Sequence, residues 1–235
     1  MSGRDGGPMT GTDAGPPATE RAVAAFRAGE PVLIHDFDDR EGETDLVYPA
    51  GAVTPEAVAR MRNDAGGLIC VALGDDVADA LELPFLADAV DHPAAATGDL
   101  GYDRRSSFSL TVNHRETFTG ITDRDRSRTI TELAAVAGTV ADGDDYDAEE
   151  FAADFRTPGH VHLLRGAPDL LGDRRGHTEL GLALAAAADR PPAVVVCEML
   201  DADTGGARSP ADARAYAERH GLTFVEGGDL LGRLG

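Results

Sequence analysis

Lysine is absent from this chain, so all 21 basic residues are arginine. Lysine-dependent chemistry goes with it: Schiff-base aldolases, pyridoxal enzymes and P-loop NTPases all require that amine. A phosphorylated ligand would have to be held by arginine, hydroxyls and backbone N–H groups. Tryptophan is also missing and aromatics make up only 5% of residues, so Val, Leu, Ile and Ala must fill the core. There are two cysteines, Cys70 and Cys197, each inside an apolar run, which reads as core thiols of a reducing compartment. No apolar run is long enough to span a bilayer and no signal-peptide core is visible, so a cytoplasmic protein is expected. Positive charge is scarce: 42 acids leave a formal charge of −21, which argues against nucleic acid or an anionic membrane as partner. High acidity without lysine resembles the halophilic proteome style of salt-accumulating archaea, where screening by salt reduces self-repulsion.

What remains suits one α/β domain of 235 residues with 42% hydrophobic content. Residues 1–18 are rich in Gly, Pro and Thr and read as a disordered tail, leaving one domain over 19–235. Thr19 is expected to cap a helix ended by Gly29, followed by a strand at Pro31–Ile34. Thr54 and Pro55 start a helix to about Asn63. Strands are expected over Gly67–Leu73, Ser107–Asn113, Val161–Arg165, Ala193–Leu200 and Leu222–Val225. Helices are expected from Asp75, over Asp125–Ala137, over Thr178–Ala188, from Ser209 to His220, and at the C-terminus. Residues 87–105 and 138–149 read as loops and as candidates for mobile segments. Phe155–His160 reads as a turn.

Five constellations carry possible chemistry. Between two strand-like runs, His35–Asp45 holds six carboxylates and Arg40. That density suits a cation or proton-transfer site, or a solvated acidic loop. Arg174-Arg175-Gly176-His177-Thr178 precedes a helix and forms an anion site with a possible metal ligand, or a cap with surface charge. Glu198 ends an apolar strand and must pair, bind a cation or titrate abnormally. His160 and His162 share a strand face, either as turn residues or as tandem ligands. Asp123–Arg128 is a mixed-sign helix start, or a source of arginines for a phosphate.

In order, Asp38-Asp39-Arg40-Glu41 with Glu43 and Asp45, Gly67-Leu68-Ile69-Cys70, Thr119-Gly120-Ile121-Thr122 with Asp125-Arg126, Pro158-Gly159-His160-Val161, Gly176-His177-Thr178-Glu179 and Cys197-Glu198 resemble the 3,4-dihydroxy-2-butanone 4-phosphate synthases of riboflavin biosynthesis. The resemblance implies a three-layer α-β-α sandwich around a mixed twisted sheet. It implies a lyase that converts D-ribulose 5-phosphate to L-3,4-dihydroxy-2-butanone 4-phosphate and formate with Mg²⁺ (or Mn²⁺). It implies a homodimer whose active sites are shared between subunits, and a stand-alone enzyme without a fused cyclohydrolase domain. By that pattern Glu41 and His177 match the metal ligands, and Arg40 and Asp45 match substrate contacts. Arg174, Arg175, Gly176 and Thr178 match the phosphate-binding turn, and His160 and Glu198 match the catalytic pair. Glu41, His177 and Glu198 also face the substrate in that pattern. The chain departs from it at Gly42 and Thr44 in the acidic loop, at Asp64–Gly67 where the family carries His-Gly-Ser-Gly, and at His162, which replaces an aromatic. The rival expectations are a non-catalytic binder of sugar phosphates or nucleotides, and a metal-dependent aldolase or isomerase.

Overall fold

The computed structural model describes residues 15–95, 101, 103 and 105–235. The tail expected at 1–18 lies outside the described residues up to residue 14, and so does part of the 87–105 loop.

Capping chemistry and apolar runs set the elements. α1 (Ala18–Ala28) starts behind Pro17 and stops at Gly29. Thr19 is not its cap but a buried residue, donating to the Asp229 carbonyl oxygen at 3.3 Å. β1 (Val32–His35) and β2 (Thr44–Pro49) flank the acidic loop. α2 (Pro55–Arg60) has Thr54 as N-cap, accepting from Ala57 N–H, and runs into a wider turn at Met61–Ala65. β3 (Cys70–Leu73), α3 (Asp75–Ala80), α4 (Leu86–Ala89) and β4 (Phe108–His114) follow. α5 (Asp123–Ala141) is capped by Thr122 and outruns the expected end. Val140, half-buried, packs against the core there and carries the helix on into the expected loop. Residues 142–147 form the loop as expected, and α6 (Ala148–Asp154) takes its last two residues behind a capping box of Asp147 and Glu150.

The turn expected at Phe155–His160 is instead the first half of an 11-residue strand, β5 (Phe155–Arg165). Its pairing with β4 jumps from Asn113↔Arg156 to Val112↔Val161, so Thr157–His160 form a bulge. Proline is tolerated there because no ladder donor is required. Side chains of β4 satisfy the bulge: Gly159 N–H donates to Thr111 Oγ1 and His160 N–H to Asn113 Oδ1. α7 (His177–Ala187), β6 (Ala193–Val196), α8 (Pro210–His220), β7 (Thr223–Glu226) and α9 (Gly227–Leu234) complete the chain. β6 is shorter than the expected Ala193–Leu200; beyond it only single bridges persist, Asp45↔Glu198, Gly66↔Met199 and Leu200↔Ala207.

The seven strands form one mixed sheet, in the order β4-β5-β3-β6-β2-β1-β7. β1/β7 and β3/β5 are parallel and the other neighbours antiparallel. One face buries Leu33, Leu46, Val71, Leu163 and Val195 under α2, α5 and α8. The other buries Val32, Ile34, Val47, Ala72 and Val194 under α1, α7 and α9. This is the three-layer α-β-α sandwich that the family resemblance implied. α7 is buried from His177 to Ala185, and full burial of a leucine such as Leu180 is worth about 1.5–3 kcal/mol. Gly181 lets α7 lie close on the sheet, since a Cβ there would sit 2.9 Å from Val194 Cγ2. That closeness sets the height of the α7 N-terminus above β2 and β6.

Candidate active site

The acidic loop between β1 and β2 is folded back on itself. Asp36 N–H donates to the Glu43 carbonyl oxygen at 3.1 Å, and Glu43 N–H donates to Asp36 Oδ1 at 3.0 Å. Gly42, with φ of 66°, supplies the left-handed residue this turn needs. Thr44 is fully buried and its hydroxyl bonds His35 Nδ1 at 3.1 Å. Both departures from the family loop therefore have a local structural role. Asp38 and Asp39 are solvent-exposed, but Asp36 is buried and pairs with Arg40 at 3.2 Å. A surface reading holds for the first two and fails for Asp36.

His177, the first residue of α7, comes down between this loop and β2. Its Nδ1 lies 3.6 Å from Glu41 Oε2 and its Nε2 lies 3.6 Å from Asp45 Oδ1. His177 Nε2 and Asp45 Oδ1 are both buried without a hydrogen-bond partner. Orphaned polar atoms in that setting cost several kcal/mol unless a ligand meets them. Asp36, Glu41 and His177 each offer a ligand atom, all within 4.8 Å of one another. Carboxylate oxygens with one imidazole suit a hard divalent cation. The residues fit the metal that the resemblance implied, and they add Asp36 to it.

The electrostatics follow from this crowding. Burial alone would lower the His177 pKa, but Asp45, Glu41 and Asp36 outweigh it and raise it to about 9. Burial pushes Asp45 up to about 7, helped by Glu198, Glu43 and Glu41 and opposed by His177. Glu41 goes the other way: burial would raise it, yet His177, Arg40 and Arg174 hold it below the usual carboxylate range.

Glu198 stands across the cleft, in the bridge to Asp45. It is half-buried, and its Oε2 accepts Leu68 N–H at 2.8 Å. Of the pairing, cation and titration options open to it in sequence, the structure supplies a backbone donor. Arg40, Glu41, Asp45, Arg174, His177, Thr178 and Glu198 all line one cleft, with a cavity of about 100 Å³. Thr178 is not the helix cap. The N-cap is Gly176, whose N–H is taken at 3.3 Å by Glu179, a fully buried carboxylate that also pairs with Arg174 at 3.0 Å. Arg175 stands to one side over the Phe37 ring, lining a neighbouring cavity with Asp39 and Asp103.

His160 does not line this cleft. It lies exposed on the β5 bulge, its Nδ1 near the Asn113 amide. His162 is half-buried with its ring edge-on to Phe108, and His160 and His162 are not among the residues grouped as possible metal ligands. The Asp123–Arg128 run makes local ion pairs, Asp123 with Arg62 and Arg126, and stays away from the cleft. Cys70 and Cys197 are free and buried, and burial pushes both thiols up; Cys70 forms part of the cleft floor.

Residues 20–232 match the family model described as 3,4-dihydroxy-2-butanone 4-phosphate synthase. A protein of that name from Archaeoglobus fulgidus is 50% identical over 221 residues, covering 90% of this chain and 92% of that one. The chain belongs to the 3,4-dihydroxy-2-butanone 4-phosphate synthase family. A crystal structure of a synthase in complex with two magnesium ions superposes with a TM-score of 0.74 at 31% identity, covering 89% of this chain and 92% of that one. A two-domain synthase from A. baumannii gives 0.75 at 33% identity, over 90% of this chain; this chain spans 56% of that protein.

Sequence reasoning missed Asp36, Asp103, Arg105 and Glu179 as site residues. Asp36 looked like one more surface acid, and only its two backbone-linked bonds distinguish it. Glu179 stood inside a quoted motif, and its spacing of three from Gly176 was the available signal. Asp103 and Arg105 carried none, because only the tertiary fold brings Asp103 to Arg40 and Arg174 and Arg105 to the cleft wall.

Proposed function

We infer that this chain is a lyase that converts D-ribulose 5-phosphate to L-3,4-dihydroxy-2-butanone 4-phosphate and formate, a step of riboflavin biosynthesis. The observation that carries the reading is the buried, unpartnered pair of His177 Nε2 and Asp45 Oδ1, set beside Glu41 and facing Glu198. Five carbons become four and one, so no co-substrate is consumed. Mg²⁺ is the cofactor, with Mn²⁺ as a substitute. Glu41 and His177 would hold it, with Asp36 in reach; when bound, it polarises the substrate carbonyl and neighbouring hydroxyl.

The chain's own groups divide the remaining work. Arg174, Thr178 and the backbone around Gly176, at the N-terminus of α7, bind the phosphate, with Arg175 at their flank. Arg40 holds the loop in register against the substrate. Asp45, raised towards neutrality, can donate or accept a hydrogen bond to sugar hydroxyls. Glu198 or His160 takes the C3 proton, and a positioned base of this kind contributes roughly 10²–10⁴-fold.

His160 is proposed to act from a second copy of the chain, which makes the active unit a homodimer with shared sites. What supports this is its exposure on the bulge and its absence from its own chain's cleft. Mixing His160→Asn with Glu198→Gln chains tests it. In a shared-site dimer each mixed pair keeps one intact site, so about a quarter of wild-type activity returns. No recovery after subunit exchange refutes the shared arrangement.

The primary test is incubation with ribulose 5-phosphate, with and without EDTA, followed by assay of formate. Formate that vanishes with EDTA and returns with Mg²⁺ is expected. Isomerised sugar without formate would instead mark an isomerase, and no turnover a binding protein. No helix among the described residues is long and apolar enough to cross a membrane. We place the enzyme in the cytoplasm.

A further inference from the structure

We propose that Asp103 is a built-in competitor for the substrate phosphate: its carboxylate fills the seat between Arg40 and Arg174 and gives way when the phosphate arrives. The proposal rests on the reading of the Arg174–Thr178 turn as the phosphate site.

The geometry is that of an anion gripped by two cations. Asp103 Oδ2 accepts from Arg40 Nη2 at 3.2 Å, and the same oxygen accepts from Arg174 Nε. All three side chains are largely out of solvent. The two guanidiniums converge closely, since a Cβ on Gly176 would fall 2.9 Å from Arg40 Nη2 and 3.1 Å from Arg174 Nη1. A third cation, Arg105, is stacked on the Phe85 ring at 3.3 Å and also lines the cleft.

Among the described residues, Asp36, Glu41, Asp103 and Glu179 meet Arg40 and Arg174, and they differ in kind. Asp36 and Glu41 take Arg40 Nη1, and Glu179 takes Arg174 Nη1. Asp36 and Glu179 are buried and also accept backbone N–H groups, from Glu43 and from Gly176 and Ala167. Those bonds fix them in the framework, and Glu41 is committed to His177. Asp103 is the one of the four that bridges both arginines. The hydrogen bonds from Arg174 and Arg40 outweigh burial and hold its carboxyl below the usual range, so it is an anion at neutral pH.

A phosphate dianion that added to this arrangement would face Asp36, Glu41, Asp103 and Glu179 against Arg40, Arg174 and Arg105. Exchange with Asp103 removes one of the carboxylates and keeps the charge-assisted bonds. Phosphate wins the exchange because it has more charge and more oxygens, and because the amide donors at the start of α7 are aimed at it. Room exists on both sides of Asp103, in cavities of about 430 and 440 Å³ that share Asp103, Asp173 and Arg174 in their walls. In the absence of ligand, Asp103 supplies a charged acceptor to Arg40 Nη2 and Arg174 Nε in a partly buried site.

Calorimetric titration of the Mg²⁺-loaded full chain with inorganic phosphate tests the exchange. Asp103→Asn is expected to bind phosphate about tenfold tighter, the equivalent of one charge-assisted bond no longer to be broken, and to lower KM for ribulose 5-phosphate in step. Asp103→Ser, a second variant, guards against misfolding of the first and is expected to behave alike. Asp173→Asn removes the same charge from the same cavities without touching either arginine and is expected to change little. Unchanged or weaker phosphate binding in both folded Asp103 variants overturns the proposal, because a carboxylate that merely positioned the arginines would weaken binding when lost. An equal gain in Asp173→Asn also overturns it, as a general charge effect. Arg174→Gln is expected to abolish phosphate binding; wild-type binding in that variant would place the anion elsewhere and sink the proposal together with the phosphate-turn reading. Formate assays on the wild type judge the enzymatic reading independently of these titrations.

Discussion

Alanine at position 67 removes the space that Glu198 occupies. A Cβ on Gly67 would lie 2.4 Å from Glu198 Oε2, 2.5 Å from its carbonyl oxygen and 2.8 Å from its Cβ. The carbonyl cannot retreat freely, because it accepts Gly67 N–H at 3.0 Å. The carboxylate cannot either, because it accepts Leu68 N–H at 2.8 Å. Overpacking of this kind costs about 1–3 kcal/mol, and loosening a bond to a charged acceptor adds about 1 kcal/mol. A total of about 2–4 kcal/mol lowers Tm by roughly 4–16 °C for a domain of this size. Shifting the carboxylate by about 1 Å also reduces formate release by roughly 10²-fold. Differential scanning calorimetry and a formate assay at saturating Mg²⁺ read the two effects. In a Glu198→Ala background the clash with the carboxylate oxygen is gone while those with the carbonyl and Cβ stay, so Gly67→Ala is expected to cost roughly 1 kcal/mol less there. A Gly67→Ala protein with wild-type Tm and activity within about twofold would refute the close packing of Gly67 on Glu198.

Three further outcomes are expected. His177, raised to about 9 by its carboxylates, is protonated at neutral pH in the cation-free chain, and a cation must displace that proton. Mg²⁺ affinity therefore rises with pH up to about 9 and levels off above it; a titration series giving a flat or falling profile contradicts this. Leu133→Ala, in the fully packed middle of α5, is expected to cost about 2–5 kcal/mol in denaturant unfolding while leaving KM for ribulose 5-phosphate at its wild-type value, since the cavity lies on the face away from the site. With a formal charge of −21, the fold is expected to gain several degrees in Tm between dilute buffer and molar KCl, and a Tm that falls with salt would count against self-repulsion as a destabilising force.

Most strands and helix starts were legible in the sequence because local chemistry decides them. Thr54 with Pro55 and Ser209 with Pro210 cap helices in the structure as their residue types require. Elements whose limits depend on distant packing were misjudged. α5 runs on to Ala141 as the half-buried Val140 packs against the core, and β5 begins at Phe155 because β4 is there to pair with it. Within the site, Glu41, Asp45, His177, Thr178 and Glu198 were legible as motif residues, and the fold brings them to one cleft. Asp36 was misread as a surface acid because its burial comes from the loop folding back on Glu43, which composition does not reveal.

By itself the sequence determined the absence of lysine chemistry, the acidic surface, the order of the motifs and, through them, the family. Those properties are carried by residue identity and spacing, which folding does not change. Tertiary structure alone decided which charges meet. Asp45 is 132 residues from His177, yet their unpartnered atoms face each other at 3.6 Å. Asp103 lies 63 residues from Arg40 and 71 from Arg174, yet one of its oxygens bridges both. Coulomb energies and desolvation depend on separation in space and on burial, and the sheet and the depth of α7 set both.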